Sequence, residues 1–149
     1  MNFKMSYVGI LVLVGALIAM ASVFMDWAVM EYLGNKEGIK GWDFYDEVGD
    51  IFDQHLYPMI VLILGIVAIL MGVLEFTGMG NTVTRVITLI LGVLVIVFSY
   101  LTYSGYIDLA TSFGMEDFVS MGYGMYLEFV AGILLIVAPI LGLAGVLDE

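Results

Sequence analysis

The chain has 149 residues, enough for one domain. Its apolar share is 62% and its charged share 13%, with a mean hydropathy of +1.09, against about 45–50% and roughly 25% in soluble domains, so lipid is the expected main solvent. Fifteen acids against four bases give a net charge of −11, which repels nucleic-acid phosphates, and the absence of cysteine excludes disulfides, thiolate metal sites and cysteine nucleophiles.

A bilayer core about 30 Å thick takes roughly 20 apolar helical residues to cross. The first such stretch, Met5 to Met25, carries no charge and predicts a span over about 5–27. With Lys4 ahead of it and Ala19-Met20-Ala21 inside it, it also has the plan of a signal peptide. A retained helix is the expectation.

A loop over about 28–55 follows. Between Asp26 and His55 lie eight acids and two lysines, net −6. Trp27, Tyr32, Leu33, Ile39, Trp42, Phe44 and Tyr45 make this segment too aromatic for a disordered linker. Within it, Phe44, Val48, Ile51, Phe52 and His55 recur at helical spacing. Asp43, Asp46, Glu47, Asp50 and Asp53 dominate the opposite side. The pattern predicts an amphipathic helix over Asp43 to His55, lying at the membrane interface.

The second span is predicted over about 56–76. Its apolar run, Leu56 to Leu74, lies between His55 and Glu75, and Glu75 is expected to be wetted at the inner end. Gly78 suits a helix end, and Asn81 or Thr82 suits a helix start, on either side of an inner loop over about 77–83. The third span is predicted over about 84–106. A loop over about 107–122 follows with Asp108, Glu116 and Asp117, and a short helix is expected around Met115 to Val119. The fourth span is predicted over about 123–146, with Glu128 just inside it and Pro139 in its interior. Backbone polar groups in lipid must be satisfied within the segment, so each span is read as a helix.

Only Lys4, Lys36, Lys40 and Arg85 are basic. Lys4 and Arg85 abut spans, whereas Lys36 and Lys40 sit in mid-loop. Weighting by proximity puts both termini and the short loop in the cytoplasm. The other two loops then form an outer cap with nine of the eleven net negative charges, and eight of nine tyrosines lie in or near it. Small residues four apart (Gly15/Ala19, Ala68/Gly72, Ala138/Gly142) and the seven-apart pair Gly92/Ser99 offer close-packing faces. Those faces suit an intramolecular bundle or contact with a second copy.

The residues offer little chemistry. Asp43, Asp46, Glu47 and Asp50 are weak candidates for a divalent cation, since their spacing matches no calcium loop. With one histidine, no cysteine and no glycine-rich phosphate loop, catalysis and a bound cofactor are not expected. Glu128 is the notable intramembrane polar residue, because ionisable groups in a span are costly and often functional. Tyr57, Tyr100 and Tyr103 are candidate hydrogen-bond donors to it. Trp27, Trp42, Phe44 and Tyr45 are the candidates for cap packing or contact.

The segment Phe24-Met25-Asp26-Trp27, followed later by Gly41-Trp42-Asp43, resembles a pattern in small prokaryotic four-span proteins of unknown function. Asp26 stands where those have proline and Lys40 where they have serine. The plan is also similar to the claudin and PMP22-like group, with Trp27 and Gly41-Trp42 near that group's tryptophan and Gly-Leu-Trp motif. The two cysteines of that motif are missing here, and the loop is shorter. The resemblance implies a β-sheet cap, whereas Asp43 to His55 reads as helix. The expectation is therefore an all-α membrane protein: a four-transmembrane-helix bundle under an ordered extracytoplasmic cap of short amphipathic helices. Its expected role is non-enzymatic, as a structural, scaffolding or interaction protein of the cell membrane. Its expected partners are lipid and either copies of itself or other membrane subunits, and not nucleic acid. The alternative is an oligomeric cation channel or transporter component using Glu128 and the acidic cap.

Overall fold

The computed structural model describes residues 7–46 and 56–145, with backbone alone for 44–46. The elements in order are α1 (Tyr7–Ser22), β1 (Asp26–Tyr32), β2 (Asn35–Lys40), α2 (Gly41–Asp46), α3 (Tyr57–Phe76) and α4 (Thr82–Ser112). A 3₁₀ turn (Glu116–Phe118), β3 (Val119–Met121) and α5 (Tyr123–Leu143) complete them. Helices α1, α3, α4 and α5 pack side by side, α1 against α3 and α5, and α4 against α3 and α5.

The surface and interior have exchanged the residues a soluble protein would give them. Ile63, Ile66 and Leu70 on α3, Ile90, Val93 and Val97 on α4, and Ile133, Val137 and Ile140 on α5 all face outward. Inside lie Ala16, Ala19, Ala68, Ala131 and Ala138, with buried glycines on every long helix. A continuous exposed apolar belt of this kind requires an apolar solvent. Three of the helices, α3, α4 and α5, are long and apolar enough to cross a membrane, and α1 is a shorter apolar helix of 16 described residues. The chain is an integral membrane protein.

Close approach explains the small interior residues. Lipid tails compete with any apolar side chain, so helices hold together only where backbones come near. A Cβ on Gly92 would lie 2.7 Å from the carbonyl oxygen of Gly132, and one on Gly9 would lie 2.7 Å from the amide nitrogen of Phe76. Gly15 abuts Leu134 and Ala131, and Gly72 abuts Leu13. The predicted small-residue faces are thus occupied within one chain. Ala19, inside the would-be cleavage motif, is fully buried in this packing.

The end of the bundle where α3 turns into α4 is closed by a polar clasp. Arg85 Nε donates to Glu75 Oε1 at 2.7 Å, and its Nη2 to Oε2 at 3.3 Å. Its Nη1 donates to the carbonyl of Gly142 at 2.8 Å, tying α3, α4 and α5 together. Glu75 is 5% exposed, which corrects the expectation of a wetted carboxylate. The reason is the tight turn, which returns Arg85 to Glu75 and lays Gly80 directly against its carboxylate. Gly78 ends α3 with a φ of +83°, and Asn81 caps α4 through a reciprocal pair with Thr84. Both were legible as helix punctuation.

Two helix lengths depart from expectation. Helix α1 stops at Ser22, short of the predicted 27, because Val23 to Met25 turn and Asp26-Trp27 enter a strand. Helix α4 runs to Ser112, six residues past the predicted 106. Its 31 residues reach about 46 Å at 1.5 Å per residue, well beyond a bilayer core of about 30 Å. The extra turns pack Leu109 against the core and run beside the 3₁₀ turn and β3.

At the opposite end of the bundle from the clasp lies an antiparallel three-stranded sheet in the order β2-β1-β3. The expected helical cap is therefore corrected. In register, Val29 faces Gly38 on one side and Ser120 on the other. Leu33 and Gly34, with φ of +52° and +83°, form a two-residue turn whose positive φ values match the strand twist. The expected short helix around Met115 to Val119 is one 3₁₀ turn, since Val119 and Met121 are drawn into pairing with Met30 and Ala28. Helix α2 covers the start of the predicted Asp43 to His55 helix, and the remainder lies outside the described residues.

Candidate functional site

Two regions have the polar or aromatic character a site requires. The first is the seat of the sheet on the bundle. Trp27, on β1, is fully buried and its Nε1 donates to the carbonyl of Ser22 at 2.8 Å. Gly41 lies flat on the indole, and a Cβ there would sit 2.6 Å from Trp27 Cε2 and 2.8 Å from the Val23 carbonyl. The Gly41 amide donates to the Met25 carbonyl at 3.2 Å, and the Trp42 amide to the Val23 carbonyl at 2.8 Å. Trp42 then meets Phe24 with ring centroids 5.8 Å apart. The two halves of the sequence pattern, Phe24 to Trp27 and Gly41-Trp42, are one physical junction. From the other side, Gly122 and Gly124 close on the backbone of Asp26, and the Gly122 amide donates to the Trp27 carbonyl at 3.0 Å.

Trp27 is therefore a structural pin, sealed from any partner. Trp42 is half-buried at the same junction. Phe44 and Tyr45 fall where only backbone is described. Of the acidic run, Asp43 accepts from the Lys40 amide at 3.0 Å and so fixes the entry to α2. Glu47 and Asp50 lie outside the described residues, as does the side chain of Asp46. Among the described residues no three acids or histidines gather as a metal site.

The second region is Glu128. It faces the bundle core, fully buried, and among the described residues neither carboxyl oxygen has a hydrogen-bond partner. None of the tyrosines expected to reach it, Tyr57, Tyr100 and Tyr103, donates to it. Tyr57 stacks edge-on against Phe98 at 5.0 Å, and Tyr100 is largely exposed. Among the described residues, Ser99 Oγ is the other buried side-chain oxygen without a partner. Helices α4 and α5 are antiparallel, since Arg85 at the start of one bonds Gly142 near the end of the other. Gly132 rests against Ile96. Stepping three residues along α4 and four back along α5 brings Ser99 and Glu128 to one level. Sequence reasoning had Ser99 only as a small packing residue. Its seven-residue spacing from Gly92 was a sound signal for the face it shares.

A polar cleft of about 510 Å³ opens above this level, lined in part by Asp26, Glu31, Lys36, Tyr123 and Tyr126. A smaller apolar cleft of about 250 Å³ lies between the sheet and the projecting end of α4, against Met30, Ile39, Leu109 and Phe113. No family model matches the chain, and no curated protein matches it.

Proposed function

We propose that the chain is a four-span, non-enzymatic membrane protein that works by contact, its outer sheet being the surface offered to copies of itself or to other membrane subunits. Helix α1 supplies the fourth crossing, and both termini are cytoplasmic. The observation that carries the reading is the division of labour between the two ends of the fold. The small-residue faces that join helices in lipid are consumed inside the bundle. Beyond one end of the apolar belt stands the sheet, whose edge strand β2 is exposed along nearly all its length and, among the described residues, pairs on one side only. A segment held this firmly by Trp27, Gly41 and Gly122 has no need of such order unless its shape is used. A sheet on this end is also what the likeness to the claudin and PMP22-like plan would imply. The cation-pathway alternative required Glu128 to line a passage between copies, and a fully buried Glu128 supports no such lining.

The chain has no native cysteine, so single cysteines report cleanly. With a membrane-impermeant maleimide, Lys36→Cys on β2 is expected to label in intact cells, and Met79→Cys in the turn only after permeabilisation. The opposite pattern would reverse the orientation. A bis-maleimide added to membranes is expected to cross-link Glu37→Cys on β2 into larger species while leaving Ile133→Cys, on the lipid face, as a single chain. Equal cross-linking at the two positions would remove the sheet's claim to be the contact surface.

A further inference from the structure

Buried polar side chains gather near both ends of the bundle, Glu75 and Thr88 towards one and Glu128, Ser99, Ser22 and Thr102 towards the other, and only the second group holds atoms without partners among the described residues. Three buried side-chain oxygens have none among the described residues: both of Glu128 and Oγ of Ser99. They belong to adjacent antiparallel helices and share a level. Two further buried hydroxyls lie within about a turn. Ser22 stands on α1, whose neighbouring Met25 abuts Gly124 of α5, and Thr102 stands one turn along α4 from Ser99. Both spend their hydrogens on carbonyls of their own helix, Ser22 on Ile18 and Thr102 on Phe98. Their oxygen lone pairs stay free to accept, so neither supplies a donor to the carboxyl.

A carboxylate removed from water needs a compensating charge or donor. None comes from the described residues around it. Helix α1 carries no charged residue between Tyr7 and Ser22, and α4 carries none between Arg85 and Asp108, bringing Tyr100, Tyr103 and Tyr106 as its titratable groups, while α5 itself brings Tyr123 and Tyr126. On β1, the Asp26 carboxylate is turned against Gly38, and Glu31 lies in the outer cleft. The arrangement is rich in oxygen acceptors and poor in donors, which is the chemistry that holds a bare cation. We propose that Glu128 and Ser99, with the hydroxyl oxygens of Ser22 and Thr102 beside them, bind one small monovalent cation, Na⁺ or a proton, inside each copy of the bundle. The site is independent of the assembly reading.

The test uses the full chain in discs of uncharged lipid. Thermal unfolding is followed in NaCl and in choline chloride of equal ionic strength, and across pH at fixed Na⁺, for the wild type, Glu128→Gln and Ser99→Ala. A ligand that binds the folded state raises Tm in proportion to its occupancy. A Na⁺-dependent rise in the wild type, absent in Glu128→Gln, assigns the site to Na⁺. A Tm that responds to pH and not to Na⁺, again only with Glu128 present, assigns it to the proton. Ser99→Ala is expected to move the midpoint of the response about tenfold, the loss of one hydrogen bond or ligand to a charged group. Responses to both ions that are the same in wild type and Glu128→Gln overturn the proposal. If Glu128→Gln does not fold, a Ser99→Ala midpoint identical to wild type overturns it equally.

Discussion

Trp27→Ala is expected to lower stability by about 3–5 kcal/mol, the range for truncating a large buried aromatic, with unfolding followed by SDS titration in mixed micelles. The site leaves little room for relaxation. The indole is sealed by Gly41 on one side and is fully buried, and its Nε1 is the donor to Ser22. Truncation opens a cavity at the joint where α1, β1 and the entry to α2 meet. Trp27→Phe fills most of that cavity but forfeits the hydrogen bond, and should cost roughly 1–3 kcal/mol. The loss in Trp27→Ala should also appear at a distance: cysteines on β2 should label faster, because the strand loses its anchor. A Trp27→Ala protein as stable as wild type, with unchanged labelling, would mean the junction is not what holds the sheet.

Glu75→Ala is the second large effect, expected at about 3–5 kcal/mol, since removal of one partner strands a buried charge. The Arg85 side chain is 16% exposed and Glu75 4%, so water reaches the guanidinium a little and the lower end of that range is expected. Replacing both with methionine should cost less than either single truncation, because no unpaired charge is left behind. The two single variants and the double one form a cycle whose coupling energy is expected at roughly 0.5–3 kcal/mol. Additive losses across the cycle would show that the clasp is incidental. High salt should change the wild type little, as buried pairs are poorly screened.

What could be read from the chain alone follows a physical division. The long helices were legible because lipid imposes a length and an apolar composition that few other demands produce. Gly78 and Asn81 were legible because helix ends have local chemistry. The Phe24 to Trp27 and Gly41-Trp42 segments were visible as a pattern, but nothing in the sequence showed that Gly41 lies on the Trp27 ring. The sheet was not legible. Its turn, Leu33-Gly34, lacks the Asn-Gly or Asp-Gly signal of a hairpin and places a leucine at positive φ. Strand β3 is three residues long and exists only through pairing with a strand about ninety residues earlier in the chain. The strong helical spacing after Asp43 drew the whole loop towards a helical reading. Glu75 was misread for a related reason: its partner stands ten residues away across a turn, and sequence spacing alone ties no side chain to another across a turn. Ser99 was legible as part of a small-residue face, but spacing alone could not show that its Oγ is buried without a partner among the described residues.

The fold makes one arrangement of tasks economical. The bundle closes on itself with its glycines and alanines, leaves an apolar belt to the lipid, and presents an ordered sheet beyond it. The claim that this sheet works by contact is tested most directly by the mass of the protein extracted from membranes in its own lipid. A particle holding several 16.3 kDa chains, or one chain with a second membrane protein, is the predicted result. A particle holding a single chain and nothing but lipid would contradict it.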